Sequence, residues 1–176
     1  VWRASNEGLD VIVVNPSLIL GPGNWQKSSS NIFSKCYKGI KFYSSGSTGF
    51  VDVRDVASLM LKLMESEVKN ERFIINAENM LFKTLFDLIH EAFNKPKPSI
   101  KAGLFLTELA WILDALRCSI TGSTPLITRE TSRTAHKQSR YSNKKILSVF
   151  PDYHFIPVKQ TISDTSKLFL KDNPLK

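Results

Sequence analysis

Residues 11–23 read VIVVNPSLILGPG, an apolar run rich in β-branched residues that is followed by Asn-Pro, a second short apolar run and Gly-Pro-Gly. A strand that is apolar on both faces is typical of a parallel sheet covered by helices. Because Pro16 cannot continue the hydrogen-bond ladder, the strand ends there and a loop emerges at its carboxyl end. Ligands of open α/β sheets bind at that edge. The stretch therefore predicts either a ligand-binding loop or an ordinary loop after a buried strand.

The order Asn15-Pro16-Ser17, Leu18-Ile19-Leu20 and Gly21-Pro22-Gly23 resembles the late strand and loop of the extended short-chain dehydrogenase/reductase family. This family lies in the NAD-dependent epimerase/dehydratase superfamily, and the stretch is most similar to its dihydroflavonol-reductase and 3β-hydroxysteroid-dehydrogenase group. The resemblance implies that the backbone after the proline holds the nicotinamide end of NAD(P) beside the substrate. It assigns cofactor binding to Pro16, Ser17, Leu18 and Ile19.

Three further segments agree with this family. Residues 49–57 (GFVDVRDVA) resemble its strand-to-helix junction beside the substrate cleft, and residues 125–130 (PLITRE) and 141–145 (YSNKK) resemble segments of bacterial dihydroflavonol-reductase-like proteins. Asp52 and Asp55 also suit a helix cap and a partner of the helix dipole. Arg54 either faces the cleft or forms a surface salt bridge.

The periodicity predicts an α/β fold, which we interpret as the C-terminal part of a doubly wound, Rossmann-type parallel sheet with a small, mostly helical substrate lobe. Residues 11–14 and 73–75 are expected to be adjacent or near-adjacent parallel strands. Residues 1–95 would hold the sheet, with lobe segments interleaved at about 24–50, and residues 96–176 the helical lobe. Other strands are expected at residues 40–43 and 50–53, and helices at 32–37, 54–64, 82–93, 104–120, after Pro125, at 143–150 and at 158–170.

Finer features follow from the same patterns. The helix after Asp55 should bury Val56, Leu59, Met60, Leu63 and Met64. His90 is expected on the polar side of its helix, while Gly8 and Gly39 are expected to end helices. Few strand candidates surround the buried run, so the sheet looks incomplete and we interpret the chain as part of a larger protein.

Composition limits the function classes. A hydrophobic content of 42% and a charged content of 23% are ordinary for a soluble globular protein. The net charge of +8 raises a nucleic-acid hypothesis, but the densest basic stretch has helix-like spacing and few interleaved aromatics, as a solvated helix face has. That stretch contains Arg129, Arg133, Lys137, Arg140, Lys144 and Lys145. We expect no nucleic acid as a partner.

Localisation follows from what the sequence lacks. The best membrane-span candidate, residues 104–116, is short and contains Glu108 and Asp114. Cys36 and Cys118 lack metal-ligand spacing, which favours reduced thiols in the cytoplasm. We therefore expect a cytoplasmic protein without a membrane span or a metal site.

The residues that carry hydride chemistry in the resembled family are a Gly-rich phosphate-binding turn and a Tyr-x-x-x-Lys pair. Tyr141 and Lys145 have that spacing but lie in the wrong part of the expected fold, so Tyr141 is interpreted as structural. The family's pair is expected upstream of Val1. We therefore assign no catalytic residue, and we expect the chain alone to be inactive and to bind NAD(P) poorly.

The function expected from the resemblance is NAD(P)-dependent oxidation or reduction of a hydroxyl or keto group on a small or medium apolar substrate. NADP is slightly favoured over NAD. Trp25, Phe50 and Arg54 are the expected substrate-binding residues. The alternatives are a nucleotide-sugar epimerase or dehydratase and a non-catalytic NAD(P)-binding sensor or scaffold, and a homodimer is one option for the assembly.

Overall fold

A computed structural model of the chain describes residues 6–103 and 136–173. The strands are β1 (Ile12–Pro16), β2 (Leu18–Leu20), β3 (Phe42–Tyr43), β4 (Ser47–Asp52), β5 (Glu71–Ile75), β6 (Glu78–Leu81) and β7 (Ile100–Lys101). The helices are α1 (Asn31–Tyr37), α2 (Val53–Met64), α3 (Phe82–Ala92), α4 (Lys144–Val149) and α5 (Val158–Asp172). The predicted helices at 104–120 and after Pro125, the segment 125–130 and Cys118 lie outside the described residues.

Parallel pairing dominates the sheets, and it confirms the α/β fold class. β1 pairs with β5 in parallel, with Val14 opposite Phe73 and Pro16 opposite Ile75, as predicted from the two apolar runs. β4 pairs in parallel with β2 and antiparallel with β6. The short strands β3 and β7 form a third, parallel pair.

The chain passes twice from the first sheet, β1–β5, into the second sheet, β2–β4–β6, and both crossings lie at the carboxyl ends of β1 and β5. After β1, the Ser17 N–H donates to the Ile75 carbonyl at 2.9 Å, and the chain continues directly into β2. After β5, the Ala77 N–H donates to the Phe50 carbonyl at 3.0 Å before β6 begins. These bonds join the two sheets where β1 and β5 end.

The second sheet separates two hydrophobic clusters, because side chains alternate between the faces of a strand. Phe50 belongs to one cluster, which α1, α3 and α5 cover with Phe33, Leu85, Ile89 and Ile162. Val51 belongs to the other cluster, which lies between the first sheet and helices α2 and α4. The helices are therefore fixed on both sides of the strands that lead to the β1–β2 loop.

The buried face of α2 is narrower than predicted. Val56, Leu59 and Leu63 are buried as expected, but Met60 and Met64 are 47% and 78% exposed, so those two predictions are wrong. The charged residue Asp55 occupies part of the buried face instead. The sequence pattern indicated which residues of α2 are apolar. It could not indicate that Asp55, held by hydrogen bonds, would be buried in place of Met60 and Met64.

His90 is also placed differently from the prediction. Its side chain is fully buried rather than on a polar face, and its Nδ1 lies 2.7 Å from the carbonyl oxygen of Phe86 one turn earlier. This bond to the helix backbone satisfies one ring nitrogen and allows the imidazole to lie in the core. Gly39 follows α1 with a φ of +85°, which confirms that prediction, and Gly8 has a φ of +94°, while the segment 1–5 before it lies outside the described residues.

The basic stretch does not form one helix face within the described residues. Lys137 and Arg140 lie in an extended segment, because Ser47 N–H donates to the Lys137 carbonyl at 3.1 Å and Ser139 N–H donates to the Ser47 carbonyl at 2.9 Å. Helix α4 begins only at Lys144. In the ranges 6–103 and 136–173, no helix has the length and apolar character to cross a bilayer.

Candidate functional site

The carboxyl ends of β1 and β5 form the candidate site, which we call the crossover site and define as Pro16–Ile19, Gly49 and Asn76. Pro16 is the last residue of β1 and is exposed, while Ser17 follows it half-buried at the start of the crossing. Leu18 and Ile19 continue as β2, which lies at an edge of its sheet within the described ranges. The crossover site therefore presents an exposed proline beside an open strand edge.

Gly49 allows the two crossings to approach each other. A Cβ atom on Gly49 would lie 2.0 Å from the Asn76 Oδ1 and 2.9 Å from the Ser17 Cβ. Both distances are shorter than real Cβ atoms tolerate, so a larger residue would push the Asn76 and Ser17 side chains apart. The position requires glycine because two side chains already occupy its Cβ space.

Two buried polar atoms of the crossover site lack partners within the described part of the chain. They are the Oγ of Ser17 and the Oδ1 of Asn76. The other polar groups of Asn76 have partners. Its side-chain Nδ2 donates to the Tyr141 carbonyl at 3.3 Å, and its backbone carbonyl accepts from the Asn143 Nδ2 at 2.9 Å. Asn76 thus connects the strand crossing to the segment before α4.

Some backbone groups of the crossover site are hydrogen-bonded within the chain, and others can bind a ligand. The Ser17 N–H is committed to Ile75, so it cannot donate to a ligand. Strand β2 pairs through one edge with β4, and alternate backbone groups of a strand point toward its other edge. Of the neighbours Leu18 and Ile19, one therefore bonds to β4 and the other presents its backbone to a ligand along the open edge.

A charged cluster at the start of α2 lies next to the Gly21-Pro22 loop. The buried Asp52 caps α2 by accepting from the Arg54 N–H at 2.7 Å, and it also accepts from the Arg54 guanidinium and from the Thr161 hydroxyl at 2.8 Å. Burial opposes ionisation of Asp52, but the bonds from Arg54 and Thr161 outweigh it and lower its pKa. Asp52 is therefore an anionic link between α2 and α5.

The side chain of Arg54 forms salt bridges rather than standing free. Its Nη2 lies 2.7 Å from Asp52 and 3.0 Å from Asp164 on α5. It also lines a cavity of about 110 Å³ beside Gly21 and Pro22. Of the two readings left open by the sequence, the structure shows the salt bridge.

Asp55 fixes the segment before α5. It accepts from the Tyr153 hydroxyl at 2.8 Å and from the Ile156 N–H at 3.0 Å. Burial raises the pKa of Asp55 despite these bonds. Burial and the bond to Asp55 raise the pKa of Tyr153 to about 12. These partners make Asp55 a structural link and not only a partner of the helix dipole.

Of the other expected substrate residues, Phe50 lies in the core and Trp25 is partly buried against it. The Trp25 ring packs edge-on against Phe169 with centroids 5.1 Å apart, and its Nε1 donates to Asp172 at 3.0 Å. Phe50 is fully buried. Asp172 lies eight residues after the Asp164 that binds Arg54, about 12 Å along the helix axis. The structure therefore places Trp25 and Arg54 at different points along α5.

Tyr-x-x-x-Lys spacing occurs twice in the described residues, and both tyrosines have structural contacts. The backbone N–H and carbonyl of Tyr141 bond to the Asn79 side chain, while Lys145 forms an ion pair with Glu71. Tyr37, four residues before Lys41, packs its ring against Phe93 and Phe169.

Three asparagines at the site were not singled out from the sequence. Asn76, Asn79 and Asn143 all bond to backbone groups across the crossing. Asparagine after a strand or before a helix is usually a turn or cap residue, so sequence patterns alone do not distinguish these long-range contacts. Within residues 6–103 and 136–173, no three His, Cys, Asp or Glu side chains are placed to hold a metal ion.

Comparison with known proteins shows what this architecture resembles. No known family model matches the sequence. Sterol demethylase protein B of Methylococcus capsulatus is 27% identical over 95 residues, which cover 53% of this chain and 29% of that protein.

Solved structures resemble nearly the whole chain. A nucleoside-diphosphate-sugar epimerase of Pseudomonas aeruginosa matches with a TM-score of 0.74 and 15% identity, over 98% of this chain and 51% of its own. UDP-glucose 4-epimerase of Thermotoga maritima, solved with UDP-glucose, has a TM-score of 0.69 and 15% identity, over 97% of this chain and 49% of its own. The Thermus thermophilus UDP-glucose 4-epimerase in complex with NAD has a TM-score of 0.66 and 14% identity, over 99% of this chain and 50% of its own.

These similarities show the fold. The chain has the mixed α/β, Rossmann-type architecture of these enzymes and spans about half of their length.

Proposed function

We propose that this chain is the C-terminal portion of a cytoplasmic NAD(P)-dependent oxidoreductase that acts on a hydroxyl or keto group of a small or medium substrate. The observation that carries the proposal is the crossover site, with an exposed Pro16 and an open β2 edge at the carboxyl ends of parallel strands. Ligands of doubly wound folds bind at this edge. The division into a sheet-forming part up to residue 95 and a helical lobe after it is part of the same proposal.

The residues at the crossover site fit the nicotinamide end of the cofactor. The open edge of β2 offers backbone groups of either Leu18 or Ile19, and Pro16 beside it is exposed. The Ser17 N–H cannot bind the cofactor because it donates to the Ile75 carbonyl. Ser17 would therefore help cofactor binding only by holding the loop in place. When bound, the cofactor supplies the hydride chemistry, and this chain orients it and shapes the substrate side.

Arg54 is the substrate-side residue that the contacts support best. It lies at the cavity beside Gly21 and Pro22 and its side chain is half exposed, although a substrate anion would compete with Asp52 and Asp164 for the guanidinium. Phe50 would act from within the core, by supporting the strand behind the site, and the partly buried Trp25 would support the lobe. The dihydroflavonol-reductase-like substrate and a preference for NADP belong to this proposal.

A nucleotide-sugar epimerase or dehydratase is the second candidate function. The fold match to two UDP-glucose 4-epimerases and a nucleoside-diphosphate-sugar epimerase favours it. The 27% identity with a sterol demethylase protein favours the first candidate. Comparing turnover of a sterol-sized keto compound with turnover of a UDP-sugar by the complete protein would decide between them.

The experiment for the cofactor site replaces Pro16 with alanine in the complete protein. The fixed φ of Pro16 ends β1 and directs the loop, so Pro16→Ala should weaken NADPH affinity per folded molecule by about 5- to 30-fold, or about 1–2 kcal/mol. Ser17→Ala should change affinity little, because its hydroxyl is buried and has no partner in the described part of the chain.

Pro151→Ala is the matched control, since Pro151 is exposed in the segment after α4. Unchanged NADPH affinity of folded Pro16→Ala would contradict the site. A separate titration of this chain alone with NADPH, followed by nicotinamide fluorescence, should show no saturation at micromolar concentrations. Micromolar binding would mean that the pyrophosphate site lies within the chain.

A further inference from the structure

A second site lies on the exposed face of the β4–β6 pair, away from the cluster around Asp52. It is a cavity of about 410 Å³ lined by Ser47, Asn79, Met80, Leu81, Gln138 and Arg140. We call it the β4–β6 cavity. Among the described residues the lining holds a hydroxyl, two amides and a guanidinium but no carboxylate, so these polar groups suit an anionic ligand.

Arg140 is the charged group of the β4–β6 cavity. Its side chain is exposed, and within residues 6–103 and 136–173 no Asp or Glu forms an ion pair with it. Arg54, by contrast, already binds two carboxylates. The guanidinium of Arg140 therefore keeps its donors available for a ligand.

The backbone on both sides of Arg140 is anchored to the strands that form the cavity. Before it, the Ser139 N–H donates to the Ser47 carbonyl at 2.9 Å. After it, the Tyr141 N–H donates to the Asn79 Oδ1 at 2.8 Å, and the Asn79 Nδ2 donates back to the Tyr141 carbonyl at 2.8 Å. Arg140 thus starts from a fixed backbone position, which reduces the entropy lost when it binds a ligand.

We propose that the β4–β6 cavity binds a phosphate or carboxylate group of a small molecule through Arg140. A guanidinium binds such groups through two parallel N–H donors, and Gln138 and Ser47 can add an amide and a hydroxyl donor. The cavity volume is in the range of small-molecule sites. The inference does not depend on the proposed function, because it uses neither the cofactor nor the crossover site.

The test measures binding of inorganic phosphate and of acetate to the chain by isothermal calorimetry, at an ionic strength held constant with chloride. Arg140→Gln should weaken binding at least about tenfold, since a charge-assisted contact is lost. Arg140→Lys should bind with intermediate affinity, because an ammonium cannot form the paired contact. The better ligand of the two identifies whether the site prefers a phosphate or a carboxylate.

Arg72→Gln is the matched control, because Arg72 is also exposed but lies on β5 and its loss changes the net charge equally. It should bind like the original chain. Circular dichroism of each variant checks that it is folded. The proposal is overturned if neither anion binds, if Arg140→Gln binds as tightly as the original chain, or if Arg72→Gln loses as much affinity.

Discussion

Replacing Gly49 by alanine would place a methyl carbon 2.0 Å from the Asn76 Oδ1 and 2.9 Å from the Ser17 Cβ. Overpacking of this kind costs about 1–3 kcal/mol. Displacing Asn76 would also break its bond to the Tyr141 carbonyl, at a cost of about 0.5–1.5 kcal/mol. The gain from alanine in a strand offsets about 0.5–1 kcal/mol of this. We therefore expect Gly49→Ala to lower the free energy of unfolding by about 2 kcal/mol.

Urea unfolding followed by circular dichroism would measure this loss. Gly103→Ala is the control, because no atom of residues 6–101 or 136–173 lies within 4 Å of its added Cβ, and its effect should stay within about 0.5 kcal/mol. Asn76→Ala removes the clashing amide, so the double variant with Gly49→Ala should be more stable than the sum of the two single losses by about 1–2 kcal/mol. A Gly49→Ala chain of unchanged stability, or strict additivity with Asn76→Ala, would refute this account of the crossing.

Asp52→Asn should cost about 2 kcal/mol at pH 7, because it weakens the charge-assisted bonds from Arg54. The pKa of Asp52 lies below its ordinary 3.8 in the folded chain. Its contribution to the free energy of unfolding is therefore present above pH 3.8 and is lost as pH falls through the folded pKa. A stability difference between Asp52→Asn and the original chain that does not change with pH would contradict this. Tyr153→Phe removes a donor from Asp55 and should cost about 1–2 kcal/mol. The pKa of Asp55 is raised by burial, so this loss should grow as pH rises from 4 to 7 and the carboxyl ionises, and an equal loss at both pH values would argue against the bond. Burial raises the pKa of Cys36 to about 12, so in a chain whose other cysteine is serine a thiol reagent should react at pH 8 only after unfolding, and rapid labelling of the folded chain would show that Cys36 is accessible.

The fold was predictable where one residue pattern determined one element. The apolar runs at 11–14 and 73–75 predicted the pairing of β1 with β5, since buried parallel strands need an apolar character on both faces. The apolar periodicity likewise predicted a helix at 82–93, and α3 (Phe82–Ala92) buries Leu85 and Ile89. In both cases burial of apolar surface is the dominant contribution to the folding free energy, and the apolar residues that supply it can be read directly from the sequence.

The site was less predictable because its contacts join residues far apart in the chain. Asn76 and Asn79 bond to Tyr141 across more than 60 residues, and nothing near either asparagine indicates that partner. His90 and Asp55 are polar residues that lie in the core: Asp55 accepts from Tyr153 and Ile156, and one ring nitrogen of His90 bonds to the Phe86 carbonyl. Such compensation is a property of the assembled fold, so local periodicity assigned His90 to the surface.

The parallel register of β1 and β5 has a consequence for synthesis on the ribosome. Val14 pairs with Phe73, 59 residues later in the chain. At about 5–20 residues per second, translation needs about 3–12 s to supply that partner. During most of this interval neither β5 nor α2 is complete to cover the β-branched run at 11–14, since α2 ends at Met64, nine residues before Phe73. A nascent-chain holdase should therefore protect this protein most strongly before Ile75 emerges, and slower translation between residues 20 and 75 should increase its aggregation.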